Sequence, residues 1–281
     1  MRFFILGNDR KPQVVEAATR LRPAFERLGK VVAFDLREEQ DLSGLKADLA
    51  VVFGGDGAIL HAARQLGYQQ IPVLGVNLGK LGFLADLSPT EMAESLPEIV
   101  AGNYRIASHL MFECEFPLDG KPHVILGLNE VVVHARSVSH VIEVDVLIDG
   151  EAVTAFSGDG LIISTPIGST AHSLSAGGPI LSQELPAFTV TPICPHTLTH
   201  RPLVDSADKL YTIRVRRPEG AALTADGQSL GMLADGDTVT VRRAPVSFQL
   251  VKVPGRTYYQ TLRDKLRWGV PPNYRTEPPA D

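Results

Sequence analysis

The chain has 281 residues, a formal net charge of −5 at pH 7 and an apolar fraction of 44%. This length allows one large or two ordinary domains with a substantial core, and the acidic balance argues against a general nucleic-acid binder. Cys114 and Cys194 are the only cysteines, far apart and without a C-x-x-C partner, which argues against a disulfide framework or a zinc site and fits a reducing compartment.

The opening residues, Met1 to Gly7, form too short an apolar stretch for a signal peptide, and no run approaches a membrane span. A cytoplasmic protein without membrane association is expected. Residues 2–6 read as a first strand. Residues 12–28 read as an amphipathic helix: Pro12 suits its first turn, Val14, Val15, Ala18, Leu21, Phe25 and Leu28 recur at helical spacing, and Gly29 ends it. Residues 31–36 and 49–53 read as further strands, and residues 71–76 as a fourth. Ser88, Pro89 and Glu91 carry the signature of a helix start, with an N-cap, a proline at the first position and a box glutamate. Alternating strands and helices predict a parallel sheet with ligands at the carboxyl ends of its strands.

One such end carries the most informative segment. The apolar run Val51, Val52, Phe53 passes into Gly54, Gly55, Asp56 and Gly57, and a helical pattern begins at Ala58. Glycines let a ligand approach the main chain, and a helix start offers free N–H groups to an anion. A carboxylate there is placed to take a proton from a nucleophile or help hold a metal. The plainer alternative is a tight turn with Asp56 as an N-cap. The pattern is neither the dinucleotide fingerprint nor a Walker A loop. In an acidic protein, attraction of a phosphate must be local.

From residue 106 the segments shorten and alternate with period two. Residues 141–156 read as a hairpin around Asp149 and Gly150. Residues 161–165, 188–193, 210–215, 239–243 and 247–253 read as strands. Residues 174–185 hint at a short helix, and residues 258–268 return to helical spacing. The last residues, 271–281, are proline-rich and read as a disordered tail. There is no internal repeat. The expected organisation is a Rossmann-like α/β domain over 1–104, a β-rich, sandwich-like domain over 105–256, and a helix over 257–270 packing back on the first domain.

Three polar features stand where a plain sandwich has no need of them: Asn129 and Glu130 between apolar runs, Gly158-Asp159-Gly160 before a strand, and residues 164–179, dense in small hydroxyl residues and glycine. With these the chain resembles the ATP/polyphosphate-dependent NAD kinase family over nearly its whole length. The Gly-Gly-Asp-Gly motif is shared with lipid kinases and phosphofructokinases, whereas the Asn-Glu pair plus residues 158–179 is specific to NAD kinases. A lipid kinase would leave Asn129 and Glu130 unexplained and would need a basic, amphipathic membrane-facing stretch.

The resemblance implies phosphorylation of the 2′-hydroxyl of the adenosine ribose of NAD, with ATP or polyphosphate as donor and Mg²⁺ travelling with the donor phosphates rather than fixed by protein ligands. It also implies homodimers or homotetramers in which a neighbouring subunit can complete the NAD pocket. Asp56 matches the general base, with Gly54, Gly55 and Gly57 around the donor phosphates. Asn129 and Glu130 match the ribose contacts, and Asp159 an acidic NAD contact donated across the subunit interface in some members. Thr170, Ala171, His172, Ser173 and Ser175 match the segment lining the dinucleotide. His61, His140 and Gln228 match further NAD contacts. Three positions depart from the family pattern: Ala58 and Ile167 where threonine is usual, and His172 where tyrosine is usual. Imidazole can still stack and hydrogen-bond, but over less area, and it can take up a proton.

Overall fold

The computed structural model describes residues 1–79, 82–85, 87–135, 137, 141–216, 221–253 and 257–267. The N-terminal part runs β1 (Arg2–Gly7), α1 (Pro12–Leu28), β2 (Lys30–Asp35), β3 (Leu49–Phe53), α2 (Asp56–Leu66), β4 (Val73–Val76) and α3 (Pro89–Val100). The four strands are parallel in the order β2-β1-β3-β4. All five residues of β3 are buried, as expected of a strand covered on both faces. Alternate side chains serve opposite faces. Phe3, Ile5, Val51 and Phe53 meet Val14, Ala18 and Phe25 of α1 and Met92, Leu96 and Ile99 of α3. Phe4, Leu6, Ala50 and Val52 meet Ile59, Ala62, Ala63 and Leu66 of α2. The start of α3 is a complete capping box: Ser88 Oγ accepts from the Glu91 N–H at 3.2 Å, and Glu91 accepts from the Ser88 N–H at 2.7 Å.

The second part follows as β5 (Arg105–Leu118), β6 (Lys121–Gly127), β7 (Glu130–Ala135), β8 (Ile142–Ile148), β9 (Glu151–Gly158) and β10 (Gly160–Ser164). A 3-10 turn (Gly168–Thr170) and a short helix α4 (His172–Ser175) lead into β11 (Ala187–Ile193), β12 (Leu203–Ser206), β13 (Tyr211–Arg216), β14 (Ala221–Ala225), β15 (Gln228–Leu233), β16 (Thr238–Lys252) and α5 (Tyr258–Leu266). One sheet is antiparallel, in the order β12-β11-β10-β7-β14-β15. Its inner residues, among them Val131, Leu161, Ile163 and Phe188, pack on Val144, Tyr211, Ile213 and Val239 of the opposite sheet. The β8–β9 turn at Asp149 and Gly150 has the positive φ angles of a tight hairpin, 51° and 81°.

The α/β and β-rich architecture agrees with the sequence reading, and the structure adds continuity between the parts. β16 pairs with β13 at its start, with β5 along its length, and in parallel with β4 at Leu250 opposite Val73. One face of the sandwich is therefore an extension of the parallel sheet. An apolar cluster crosses the same junction, joining Ile59 and Ala63 of α2 to Leu126, Leu128, Ile167 and Phe248.

Several expectations need correction. The strands read over 239–243 and 247–253 are a single strand, β16, with a register shift between Arg243 and Ser247 that breaks the alternation in the sequence. The short helix read over 174–185 lies earlier, at α4, because Gly177 has φ of 86° and Pro179 follows. α2 begins at Asp56 rather than Ala58. Six strands, β5, β6, β7, β12, β14 and β15, were not among those read from the sequence. α5 touches both parts: Lys265 Nζ lies 4.9 Å from the centre of the Phe83 ring, and Tyr258 Oη donates to the Leu181 carbonyl at 3.4 Å. His140, residues 268–270 of the expected helix and the tail over 271–281 lie outside the described residues.

Candidate active site

The glycine loop leaves β3 with Gly54 at φ 152°, where a Cβ would lie 2.6 Å from the Ala58 Cβ. The Gly54 N–H donates to the Val76 carbonyl at 2.9 Å, tying the loop to β4. Gly55 is the N-cap of α2, no side chain caps this helix, and the space above Gly55 and Gly57 is open. The helix start thus keeps N–H groups for a ligand.

Asp56 is not the N-cap. Its carboxylate crosses to the segment after β4 and accepts from the N–H groups of Phe83 at 2.8 Å, Leu84 at 3.0 Å and Ala85 at 3.3 Å. Gly82 makes this approach possible, since a Cβ on residue 82 would overlap the Asp56 carboxylate. Of the roughly four lone-pair sites of a carboxylate, these bonds leave about one free, on Oδ2.

His61 lies on α2 with its Nε2 3.6 Å from Glu38 Oε2. Burial lowers its pKa, while Glu38 pulls the other way. It lines a cavity of about 290 Å³ with Lys11, Glu38, Gly55, Gly57 and Arg64, so the structure groups this histidine with the glycine loop.

Asn129 and Glu130 enter β7 as buried residues, and Asn129 Oδ1 and Glu130 Oε2 have no hydrogen-bond partner. Buried polar atoms are rarely left unpaired unless a ligand or water serves them. Their backbone is held from two sides. Thr165 Oγ1 donates to the Leu128 carbonyl at 2.5 Å, and the Thr165 N–H to the Asn129 carbonyl at 2.9 Å. From the opposite side, Asp226 accepts from the N–H groups of Leu128 at 2.7 Å, Asn129 at 2.7 Å and Glu130 at 3.1 Å. Burial and the facing Asp226 push the Glu130 carboxyl up to about 8, partly offset by the His172 N–H. Burial pushes Asp226 up as well, and its three amide bonds pull it back. With its carboxyl near 8, Glu130 keeps its proton at neutral pH, and the three amide bonds favour the charged form of Asp226.

In the segment after β10, Thr170 Oγ1 donates to the Ile167 carbonyl at 3.0 Å. Ala171 is half-buried, and His172 and Ser175 are exposed. Ser173 is fully buried, its hydroxyl 2.9 Å from Thr191 Oγ1, so it supports the loop from below. Ile167 is 4% exposed within the apolar cluster shared with α2. Its departure from threonine therefore falls in the core. Asp159 is exposed and accepts from the Cys194 thiol, which raises the thiol pKa. Gln228 is exposed at the start of β15. Sequence reasoning missed Asp226 and Thr165. The only available hint for Asp226 was its place in an Asp-Gly turn. Among the described residues no group of three or more His, Cys, Asp or Glu side chains gathers to hold a metal.

Open backbone amides beside a fixed carboxylate suit phosphoryl transfer to a nucleotide, and a protein built this way falls in the class of nucleotide-binding phosphotransferases. Comparison with known proteins gives the family. The ATP-NAD kinase N-terminal domain model matches residues 5–104, and the ATP-NAD kinase C-terminal domain model matches residues 128–253. The NAD kinase of Rhodopirellula baltica is 46% identical over 271 residues, covering 95% of this chain and 86% of its own. That of Geotalea daltonii is 41% identical over 254 residues, covering 89% of each. Yeast NADH kinase in complex with NADH superposes with a TM-score of 0.83 at 26% identity, covering 99% of this chain and 90% of its own. An Archaeoglobus fulgidus NAD kinase in complex with ATP superposes at 0.78 with 28% identity, covering 95% and 99%. The chain belongs to the ATP-NAD kinase family.

Proposed function

We propose that the chain phosphorylates the adenosine ribose of NAD at its 2′-hydroxyl, with ATP as donor and Asp56 as general base. The observation that carries this reading is Asp56 itself, fixed by three backbone N–H groups at the open start of α2. Its free lone pair accepts the hydroxyl proton as the ribose oxygen bonds to the terminal phosphorus and the bond to the ADP oxygen breaks. General-base assistance of this kind contributes about 10² to 10⁴ in rate.

The donor phosphates fit the side of the loop that faces the 290 Å³ cavity, where Lys11 and Arg64 supply positive charge and Gly55 and Gly57 supply room. Mg²⁺ belongs to the donor as the Mg·ATP substrate and neutralises the phosphate charge. NAD lies against the β-rich part, with Asn129 and Glu130 on the ribose. The unpartnered Asn129 Oδ1 can accept from a ribose hydroxyl, and protonated Glu130 can donate to or accept from another. Thr170, Ala171, His172 and Ser175 line the dinucleotide. Asp159 and Gln228, both exposed, meet a neighbouring subunit's nucleotide in a homodimer or homotetramer. Among the described residues no helix is long and apolar enough to cross a membrane, and the reading places the enzyme in the cytoplasm. Purified protein incubated with NAD, ATP and Mg²⁺ should yield NADP, followed with an NADP-specific dehydrogenase. An absence of NADP with intact NAD binding overturns the reading.

A further inference from the structure

We infer that Asp226 is a positioning residue for the reaction: from the tip of the β14–β15 hairpin it fixes the backbone of Leu128, Asn129 and Glu130 and registers that ribose-binding segment against the helix that begins with Asp56. The inference rests on the assignment of Asn129 and Glu130 to the NAD ribose.

The turn that carries Asp226 does not itself need a carboxylate. Asp226 and Gly227 have φ of 46° and 75°, the pair of positive angles of a two-residue hairpin, where asparagine serves at least as well as aspartate. In a turn built only to reverse the chain, this side chain would point to water. Here the residue is only 9% exposed, and burying an ionised group is costly unless hydrogen bonds compensate. The compensation comes from three consecutive N–H groups, of Leu128, Asn129 and Glu130, at 2.7, 2.7 and 3.1 Å. The Asp226 N–H in turn donates to the Glu130 carbonyl at 3.0 Å. Four bonds thus join one hairpin residue to one short segment nearly a hundred positions away in the chain.

These bonds finish a ladder. β14 pairs with β7 up to Ala225 opposite Val131, and the amides just before that register would otherwise lack strand partners. The Asp226 carboxylate takes them over. The result is an Asn129–Glu130 pair whose main chain is fixed while its side-chain oxygens remain open. The third link is Arg64, on the second turn of α2 beyond Asp56, whose Nη1 donates to the Asp226 carbonyl at 3.4 Å. One helix therefore carries Asp56 at its start and, further along, a grip on the hairpin that orders the ribose segment.

Asp226→Asn keeps the turn and the shape but replaces one accepting oxygen with an N–H donor, set against amides that also donate. Loss of a charge-assisted bond of this kind corresponds to about a tenfold to hundredfold loss in binding. The KM for NAD should rise by that factor while the KM for ATP stays within about twofold. A role confined to stability would not move the pH dependence, but a clamp beside Glu130 must. The groups acting on Glu130 are the Asp226 carboxylate from the hairpin and the His172 N–H from α4, while Arg64 from α2 acts on Asp226. Removing the Asp226 charge should shift the limb of the NAD KM profile to lower pH.

Asn129→Ala serves as the control. A raised KM for NAD in Asn129→Ala, with Asp226→Asn unchanged in KM and pH profile, overturns the inference alone. Unchanged values in both variants overturn the ribose assignment and the inference with it. If Asp226→Asn does not fold, amide hydrogen exchange of the unaltered enzyme decides. The N–H groups of Leu128, Asn129 and Glu130 should be protected without nucleotide, and rapid exchange at all three refutes a pre-formed clamp.

Discussion

Replacing Glu130 with glutamine should make the protein's stability less sensitive to pH. Glu130 is 7% exposed, and burial together with the facing Asp226 raises its pKa from 4.5 to about 8. Between those values the native state holds a proton that the unfolded chain has released. Stability changes with pH as 2.303RT times the protons bound unfolded minus those bound native. Here that difference approaches minus one. The contribution is therefore fully present below the unfolded pKa and is lost as pH rises toward 8, at about 1 kcal/mol per pH unit. Glutamine has the shape of the protonated acid and titrates nowhere in this range, so it keeps the acceptor for the His172 N–H and loses the slope. Urea denaturation of the nucleotide-free proteins at pH 5.5, 6.5 and 7.5 measures it. The unaltered protein should lose roughly 2 kcal/mol relative to Glu130→Gln across that interval. Parallel pH dependences in the two proteins would refute a proton held by Glu130 at neutral pH.

Two further substitutions separate positioning from packing. Gly82→Ala places a methyl group against the Asp56 carboxylate and should lower kcat by about a hundredfold, because misplacing a reacting group by about an ångström costs that much. Steady-state kinetics with NAD and ATP check this, and an unchanged kcat would show that the 82–85 segment does not orient Asp56. Ile167→Thr buries a hydroxyl in the cluster shared by Ile59 and Leu128 and should cost about 1–3 kcal/mol. A thermal melt should show the midpoint lowered by several degrees with the KM for NAD unchanged, whereas an altered KM would put residue 167 in the nucleotide site.

The parts of this protein that were legible in its sequence are those coded over short distances. The capping box of α3 needs only Ser88 and Glu91. The two-faced burial of β1 and β3 follows from uninterrupted apolar runs, and the glycine loop from four adjacent residues. What escaped was coded at long range. The Asp226 clamp joins positions 96 to 98 apart, and nothing near Asp226 in the chain marks the segment it holds. The parallel pairing of β16 with β4, which fuses the two parts into one sheet, rests on Leu250 opposite Val73. Within the hydroxyl-rich run after β10, Ser173 was matched to the dinucleotide lining, yet it and Thr165 spend their hydroxyls on the protein's own frame. Residue type alone does not distinguish a serine facing a ligand from one facing a threonine beneath it.

The most direct test of the account is turnover by Asp56→Asn, measured as NADP formed from NAD and Mg·ATP, beside calorimetric NAD binding to the same protein. Asparagine keeps one accepting oxygen for the amides of residues 83–85 but is a poor proton acceptor. The account predicts a kcat lowered by at least about 10² with NAD affinity within a few fold. Turnover equal to that of the unaltered protein would contradict it and remove Asp56 from the proton transfer.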